Sequence, residues 1–501
     1  MKYKNIIYSL LIASISITSC TKDFEKININ PSAVSDLQPD ALLTNVIVGV
    51  SGGEYEAWRT NLIYNTQFIQ HFASTAWLQG GQYLLDEGYN SSLWDSYYGG
   101  PIKNVVNLVE KTTGVATEVN YNSAARILKA FAFLRLTDSY GDIPYSEAGK
   151  GYLNGVFAPK YDEQKNILAD IINELDAAAK GFDAAKPFKG DITSNNGDIS
   201  LWKKTAYSIM MRAAMRMSKK DVAAAQAAVV KAAAGGVFTS YAESFVVKHI
   251  TGNYDNPNSH VLGYYNGARG QLNTGAFKFS EYFINLLKTA ADPRFGILSV
   301  VRTGTTEDNN PAIQKGLPSG SDASIGAVDA YSQIRADFVD ATDPNILVSH
   351  GQTLLLMAEA KERGWLSTGS SETYFRDGVK SSINQLKLYA PAVGVIDDAL
   401  VNAYVAGIVY PATPNARYQA INTQYYIANV LDGYEAHANW RRSGYPVLMA
   451  LNKPGNYTGG KIPRRFQYPA SESGLNGENL AAAVARQGAN NWNTSVWWDT
   501  P

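Results

Sequence analysis

Ser200 and Lys203 stand at the S-x-x-K spacing that lets a lysine activate a serine nucleophile. The companion S-D-N is absent, and Lys111-Thr112-Thr113 is the nearest approach to K-T-G. Ser200 reads instead as a helix N-cap following Gly197-Asp198. The five histidines, His71, His249, His260, His350 and His437, show no H-x-x-x-H or similar ligand spacing, so no zinc centre is expected. The stretch from Asp191 to Trp202 alternates oxygen-bearing side chains like an EF-hand loop. Its sixth residue, however, is Asn196 rather than Gly, and its twelfth is Trp202 rather than Glu. No cofactor is expected, and a structural calcium ion held by loop carbonyls stays open. Asp337 and Asp340 are candidates for the carboxylate pair of a glycoside hydrolase. With 45 acidic residues, nothing in the sequence selects them over a solvated face. Gly149-Lys150-Gly151 lacks the flanks of a phosphate-binding loop.

Aromatic chemistry remains. The chain holds 31 Tyr and 9 Trp. Two loop clusters combine such rings with amides and a guanidinium. One carries Trp77, Gln79, Gln82, Tyr83 and Tyr89; the other carries Tyr254, Tyr264, Tyr265, Asn266 and Arg269. A flat ring covers the apolar face of a sugar while amide and guanidinium groups take its hydroxyls, with no demand for net charge. The alternative is that these rings anchor their loops to the body. The ligand residues expected are Trp77, Gln82, Tyr83, Tyr254, Tyr264, Asn266 and Arg269.

Cys20, the single cysteine, closes a different motif. Lys2 and Lys4 precede an apolar run from Ile6 to Ile17, too short for a bilayer span, and Thr18-Ser19 lead into Cys20. This is similar to a bacterial lipobox, in which the cysteine is lipidated. Residues 1–19 are expected as a lipoprotein signal peptide and 20–36 as a flexible tether, with one helical domain over 37–501. The lipid would hold a soluble body on a membrane surface.

The elements that position the loops read mainly as helices. Hydrophobic spacing predicts a short helix after Pro39-Asp40, a long one over 54–76, and further helices at 123–139, 161–180, 199–217 and 221–234. Others are predicted at 280–291, 347–364, 371–389, 397–408, 415–431 and 433–442. Short links between successive helices argue for stacked, tetratricopeptide-like pairs in a superhelical body, although no strict 34-residue consensus repeats. Residues 237–345 are loop-rich, with short strands expected near Phe277–Phe279 and Ile297–Val301, and form the expected ligand face. The tail from Lys453 reads as irregular. The formal net charge of −1 supplies no basic field for nucleic acid. A hydrophobic content of 45% supplies ample core.

Short motifs in a fixed order complete the reading. They are Asp23-Phe24 and Asn28-Ile29-Asn30-Pro31; Tyr140-Gly141-Asp142-Ile143-Pro144-Tyr145; and Gly197-Asp198 with Trp202 and Arg212. Asp292-Pro293-Arg294-Phe295, Met357-Ala358-Glu359-Ala360 and Trp440-Arg441-Arg442-Ser443-Gly444-Tyr445-Pro446 follow, and Ile462-Pro463-Arg464-Arg465-Phe466 comes last. The chain resembles the SusD/RagB-type outer-membrane nutrient-binding lipoproteins, in their starch-binding-associated branch. That resemblance implies a cell-surface lipoprotein of the Bacteroidota outer membrane, without enzymatic activity. It further implies delivery of oligosaccharides, or in some members peptides, to a SusC-like TonB-dependent transporter. Starch-binding relatives use an arc of aromatics, which points at Trp77 and Tyr83 and at Tyr264. Arg441 and Arg442 are expected to satisfy helix-end carbonyls or a carboxylate such as Glu435. A surface hydrolase and a purely structural scaffold are the competing readings.

Overall fold

The computed structural model describes residues 37–252, 255–265, 277–389 and 396–500. Residues 1–36, over which a signal peptide, Cys20 and a tether are expected, lie outside the described residues. The described chain is mainly helical, as expected, and its helices stack in sequence. Helix Pro39–Ser51 lies against Lys103–Thr112 and Val119–Tyr140. Val119–Tyr140 packs on Gln164–Gly181, which packs on Ile199–Arg216, which packs on Val222–Gly235. A second stack pairs His350–Glu362 with Ser371–Asn384 and Pro414–Ala428. Helix Ile199–Arg216 joins the two stacks by contacting His350–Glu362.

The sequence explains this order. Ile127, Phe131 and Leu134 share one face of Val119–Tyr140, and all are buried. Asp221 caps the alanine-rich helix Val222–Gly235 by accepting from Ala224 N at 3.2 Å. The preceding helix is capped by Asp198, which accepts from Ser200 N (2.7 Å) and Leu201 N (3.3 Å). Ser200 is therefore inside the helix rather than its cap, because the acid two residues earlier reaches both orphan amides first.

Among the described residues the strands form four small antiparallel sheets, one of which ties the loop-rich region to the end of the first long helical segment. Phe72–Ala73 pairs with Lys278–Phe279, and Phe245–Val247 with Asn345–Val348. Ile143–Pro144 pairs with Tyr161–Asp162; Ser299–Thr303 lies between Thr306–Asp308 and Gln333–Ile334.

Three of the expected element boundaries change. The continuous helix over 54–76 ends at Phe68: Gln70 turns left-handed (φ 58°), and Phe72 enters a strand. The loop-rich region holds a further helix, Pro257–Tyr265. The tail holds Gly477–Gln487, an alanine-containing helix that buries Ala483. Among the described residues no helix is long and apolar enough to cross a membrane.

The stacks meet across buried charge. Arg216 contacts Asp138 at 3.0 Å and Glu435 at 2.5 Å, and Arg212 reaches Glu435 at 3.2 Å. Arg442 donates two 2.7 Å bonds to Glu359, which also accepts from Arg363. The expected partner Glu435 is thus occupied by Arg212 and Arg216, and Arg442 turns to Glu359. Arg441 does bind carbonyls, those of His437 and Arg464.

Candidate functional site

Residues Ala57–Asn65 form a π-helix of nine residues. This wide helical form is rare and is often found at functional sites. The preceding turn, Glu54–Glu56, begins where Gly53 N donates to Glu56 Oε2 at 2.8 Å. Glu56 is buried, accepts a 2.6 Å bond from Tyr434 OH, and lies near Arg135. Burial raises its carboxyl above the usual range, and the Arg135 charge opposes that rise.

Tyr55, in the preceding turn, and Trp58 and Arg59, at the start of the π-helix, fall at i, i+3 and i+4 and come together on one face. Tyr55 is 62% exposed, and Trp58 and Arg59 are half-buried. The Arg59 guanidinium lies 4.8 Å from the Tyr55 ring centre, 5.6 Å from Trp58 and 5.5 Å from Tyr89. Arg59 Nε has no hydrogen-bond partner among the described residues. Trp58 meets Trp77 edge-to-face at 5.4 Å and Tyr89 at 6.0 Å. Trp77 in turn stacks on Phe277 at 5.0 Å. The result is an aromatic platform with a cation at its edge.

The loop that carries Trp77 is held by close backbone contact. A Cβ on Gly80 would overlap the Ile63 carbonyl of the π-helix, so only glycine lets the turn Leu78–Gln82 approach. Gln67 locks the same turn: its Nε2 donates to Trp77 O at 3.2 Å, and its Oε1 accepts from Gly81 N at 3.1 Å. Asp86 caps the next turn by accepting from Tyr89 N at 3.0 Å, which fixes Tyr89 beside Trp58.

The expected ligand residues divide accordingly. Trp77 is part of the platform. Gln82 is buried, with its amide donated to Gly320 O at 3.1 Å. Tyr83 is 1% exposed and edge-on to Phe68 at 6.1 Å, so it presents no ring face to solvent. Burial raises its hydroxyl to about 12. Both serve the loop's architecture, since the left-handed backbone at Tyr83 (φ 56°) turns its ring inward. Tyr264 is half-buried on Pro257–Tyr265, a helix joined to the π-helix by Asn61 Nδ2 donating to Asn258 Oδ1 at 2.9 Å. Tyr254, Asn266 and Arg269 lie outside the described residues. Trp58 and Arg59 are not among the expected ligand residues, because Trp58 also fits an apolar helix face. The spacing Tyr55-x-x-Trp58-Arg59 is the signal that finds them.

Two acids of the platform loop, Asp86 and Glu87, are committed elsewhere. Asp86 holds Tyr89 N, while Glu87 accepts from Ala470 N at 2.6 Å and from Gln467 Nε2 at 3.0 Å. Asp337 pairs with Arg335 at 2.5 Å, and Asp340 accepts from Thr342 N and Oγ1. The Asp191 carboxylate accepts from Thr193 N (2.9 Å), Thr193 Oγ1 (2.6 Å), Gly197 N (2.7 Å) and Trp202 Nε1 (2.8 Å). Its loop is thus closed by protein donors. Among the described residues no group of three or more His, Cys, Asp or Glu side chains is placed to hold a metal ion.

Comparison with known proteins places this geometry. Residues 31–469 match the SusD-like family described as starch-binding and associating with the outer membrane. A solved chitin-binding protein is 32% identical, with 93% of this chain and 100% of that one covered and a TM-score of 0.83. A SusD homolog from Bacteroides uniformis (22% identity, 93% and 100% covered, TM-score 0.79) shares the fold. So does a chitin-binding SusD homolog from Flavobacterium johnsoniae (24% identity, 92% and 98% covered, TM-score 0.76). No curated protein matches the chain. A family match across most of the chain, over a fold of the same extent, shows that this protein belongs to the SusD-like family.

Proposed function

We propose that this protein is a non-catalytic surface lipoprotein that retains neutral oligosaccharides on the Trp58–Trp77–Tyr89 platform. It then passes them to a SusC-like TonB-dependent transporter. Cys20 would carry the lipid that keeps the body at the outer membrane. The carrying observation is the perpendicular Trp58–Trp77 pair with Arg59 at its edge. Two rings at a steep angle can meet successive sugar units of a bent chain, and the Arg59 guanidinium beside them is the cation nearest to a bound hydroxyl or amide oxygen. The commitment of Asp86 and Glu87 to backbone and side-chain partners supports binding over hydrolysis. Chitin oligosaccharides are the first cargo to test, because the 32%-identical relative is a chitin-binding protein. Calorimetry with triacetylchitotriose should show measurable binding by the intact chain. Trp58→Ala with Trp77→Ala should weaken it by roughly 10- to 200-fold, from about 1.5 kcal/mol per lost ring contact. Unchanged affinity would overturn the platform assignment.

A further inference from the structure

A second groove, of about 490 Å³, lies between the start of helix His350–Glu362, helix Ser371–Asn384 and the turn Tyr241–Glu243. It shares no residue with the aromatic platform. Its floor is apolar, with Phe238, Leu354 and Met357 buried beneath it. Two half-buried tyrosines, Tyr241 and Tyr374, line it. Asn384 also lines it and is only 8% exposed, and its Oδ1 is buried with no hydrogen-bond partner among the described residues. A buried acceptor left unpaired is unfavourable, so a ligand that brings a donor to that point gains a hydrogen bond the fold leaves unmade.

The remaining polar groups match the same kind of ligand. His350 Nδ1 shares a 2.9 Å hydrogen bond with Ser381 Oγ, and burial lowers its pKa to about 4. At neutral pH the ring is therefore uncharged. The side chains of Asp377 and Lys380, exposed on the same helix, make no hydrogen bond or ion pair to other described residues. They supply an acceptor and a donor whose charges cancel. A polyanion would meet Asp377 with only one cation, and a purely apolar ligand would leave Asn384 unsatisfied. A pyranose offers an apolar face for the floor and tyrosines and hydroxyl donors for Asn384, and the groove's volume suits one or two such units.

We propose that this groove is a second binding site for a sugar unit of a neutral glycan, separate from the platform. Two sites on one body let a polymeric glycan engage both, which raises retention by avidity without tightening either contact.

Hydrogen–deuterium exchange on the full chain tests this, with triacetylchitotriose and maltotriose as probes. The glycan should slow exchange in 237–243 and 371–385. That protection should persist in the Trp58→Ala/Trp77→Ala double variant and vanish in Tyr241→Ala. Tyr241→Ala should also lower retention on the insoluble polymer by at least about ten-fold while leaving protection of 57–65 intact. Asn384→Leu, which removes the unpaired acceptor, gives a second variant with the same expected loss. No glycan-dependent protection of these segments, with either probe, overturns the proposal. So does protection that survives both Tyr241→Ala and Asn384→Leu. Protection of this groove with none at 57–65 and 77–89 would uphold it and strike the platform instead.

Discussion

Glu359→Gln isolates the charge at the centre of the second helix stack. Glu359 and Arg442 are each about 1% exposed and share two 2.7 Å bonds. Glu359 also accepts from Arg363 Nε and Nη2 (3.1 and 2.8 Å) and from Asn422 Nδ2 (3.0 Å). Glutamine keeps the shape but turns an amide donor toward these donors, so about two charge-assisted bonds are lost and Arg442 keeps a buried charge. Removing one partner of such a pair costs about 3–5 kcal/mol. An unfolding entropy of about 2.1 cal/mol/K per residue over roughly 450 residues is about 1 kcal/mol/K, so melting should fall by about 4 °C. The pH dependence is a sharper test. Burial pushes the Glu359 carboxyl upward, but Arg442 and Arg363 outweigh it and hold the group well below its ordinary 4.5. A depressed carboxylate stabilises the fold fully above its unfolded value. That stability drains away as pH falls through 4.5 toward the folded value, at about 1.4 kcal/mol per pH unit. Wild-type melting should therefore drop more steeply than Glu359→Gln below pH 4.5, and glycan affinity at pH 7 should be the same in both. Parallel acid limbs in scanning calorimetry would refute the reasoning.

Other perturbations reach the platform and its supports. Glu56→Gln should reverse the sign: its folded carboxyl is raised, so the wild type loses stability as pH rises from 4.5 through the raised value, and the variant should not. Urea midpoints across that window, flat in both proteins, would contradict this. Gly80→Ala forces a methyl into the Ile63 carbonyl and should cost about 1–3 kcal/mol while weakening glycan binding through Trp77. Gly88→Ala, at an exposed glycine, should do neither. Asp191→Ala strips the partners of Thr193, Gly197 and the Trp202 indole and should cost about 2–4 kcal/mol by chemical denaturation. Calcium or a chelator should leave wild-type melting unchanged if the loop is closed by its own donors.

How much of this was readable from sequence depended on the range of the contact that decides it. Helices such as Val119–Tyr140 and Val222–Gly235 carry their own apolar spacing, caps and propensity, so their place and pairing could be read directly. The helix Gly477–Gln487 could not, because it buries only Ala483 and is flanked by Gly and Asn on both sides. Arg442 was recognisable as a structural residue, but its partner was not. Glu359 and Glu435 are equally acidic, and only the crossing of the two stacks, 83 residues apart for Arg442 and Glu359, assigns each arginine its acid.

The platform shows the same limit at closer range. Trp77 and Tyr83 lie six residues apart in one polar loop, and residue type alone makes them equal candidates. What separates them is the backbone: Gly80 lets the turn press onto the π-helix, leaving Trp77 on its outer side against Trp58, while the left-handed turn at Tyr83 drives that ring onto Phe68. Trp58 was hidden for the complementary reason, since a tryptophan at helical spacing is most simply read as core. A π-helix shifts side-chain register by widening each turn, and here Trp58 and Arg59 stay half-buried while Leu62 and Ile63 are fully buried. The exposed edge of the platform is thus a product of two backbone irregularities, one in each element. It follows that binding should be more sensitive to Gly80→Ala, which alters no ring, than to loss of the buried Tyr83 hydroxyl in Tyr83→Phe, which leaves the backbone in place.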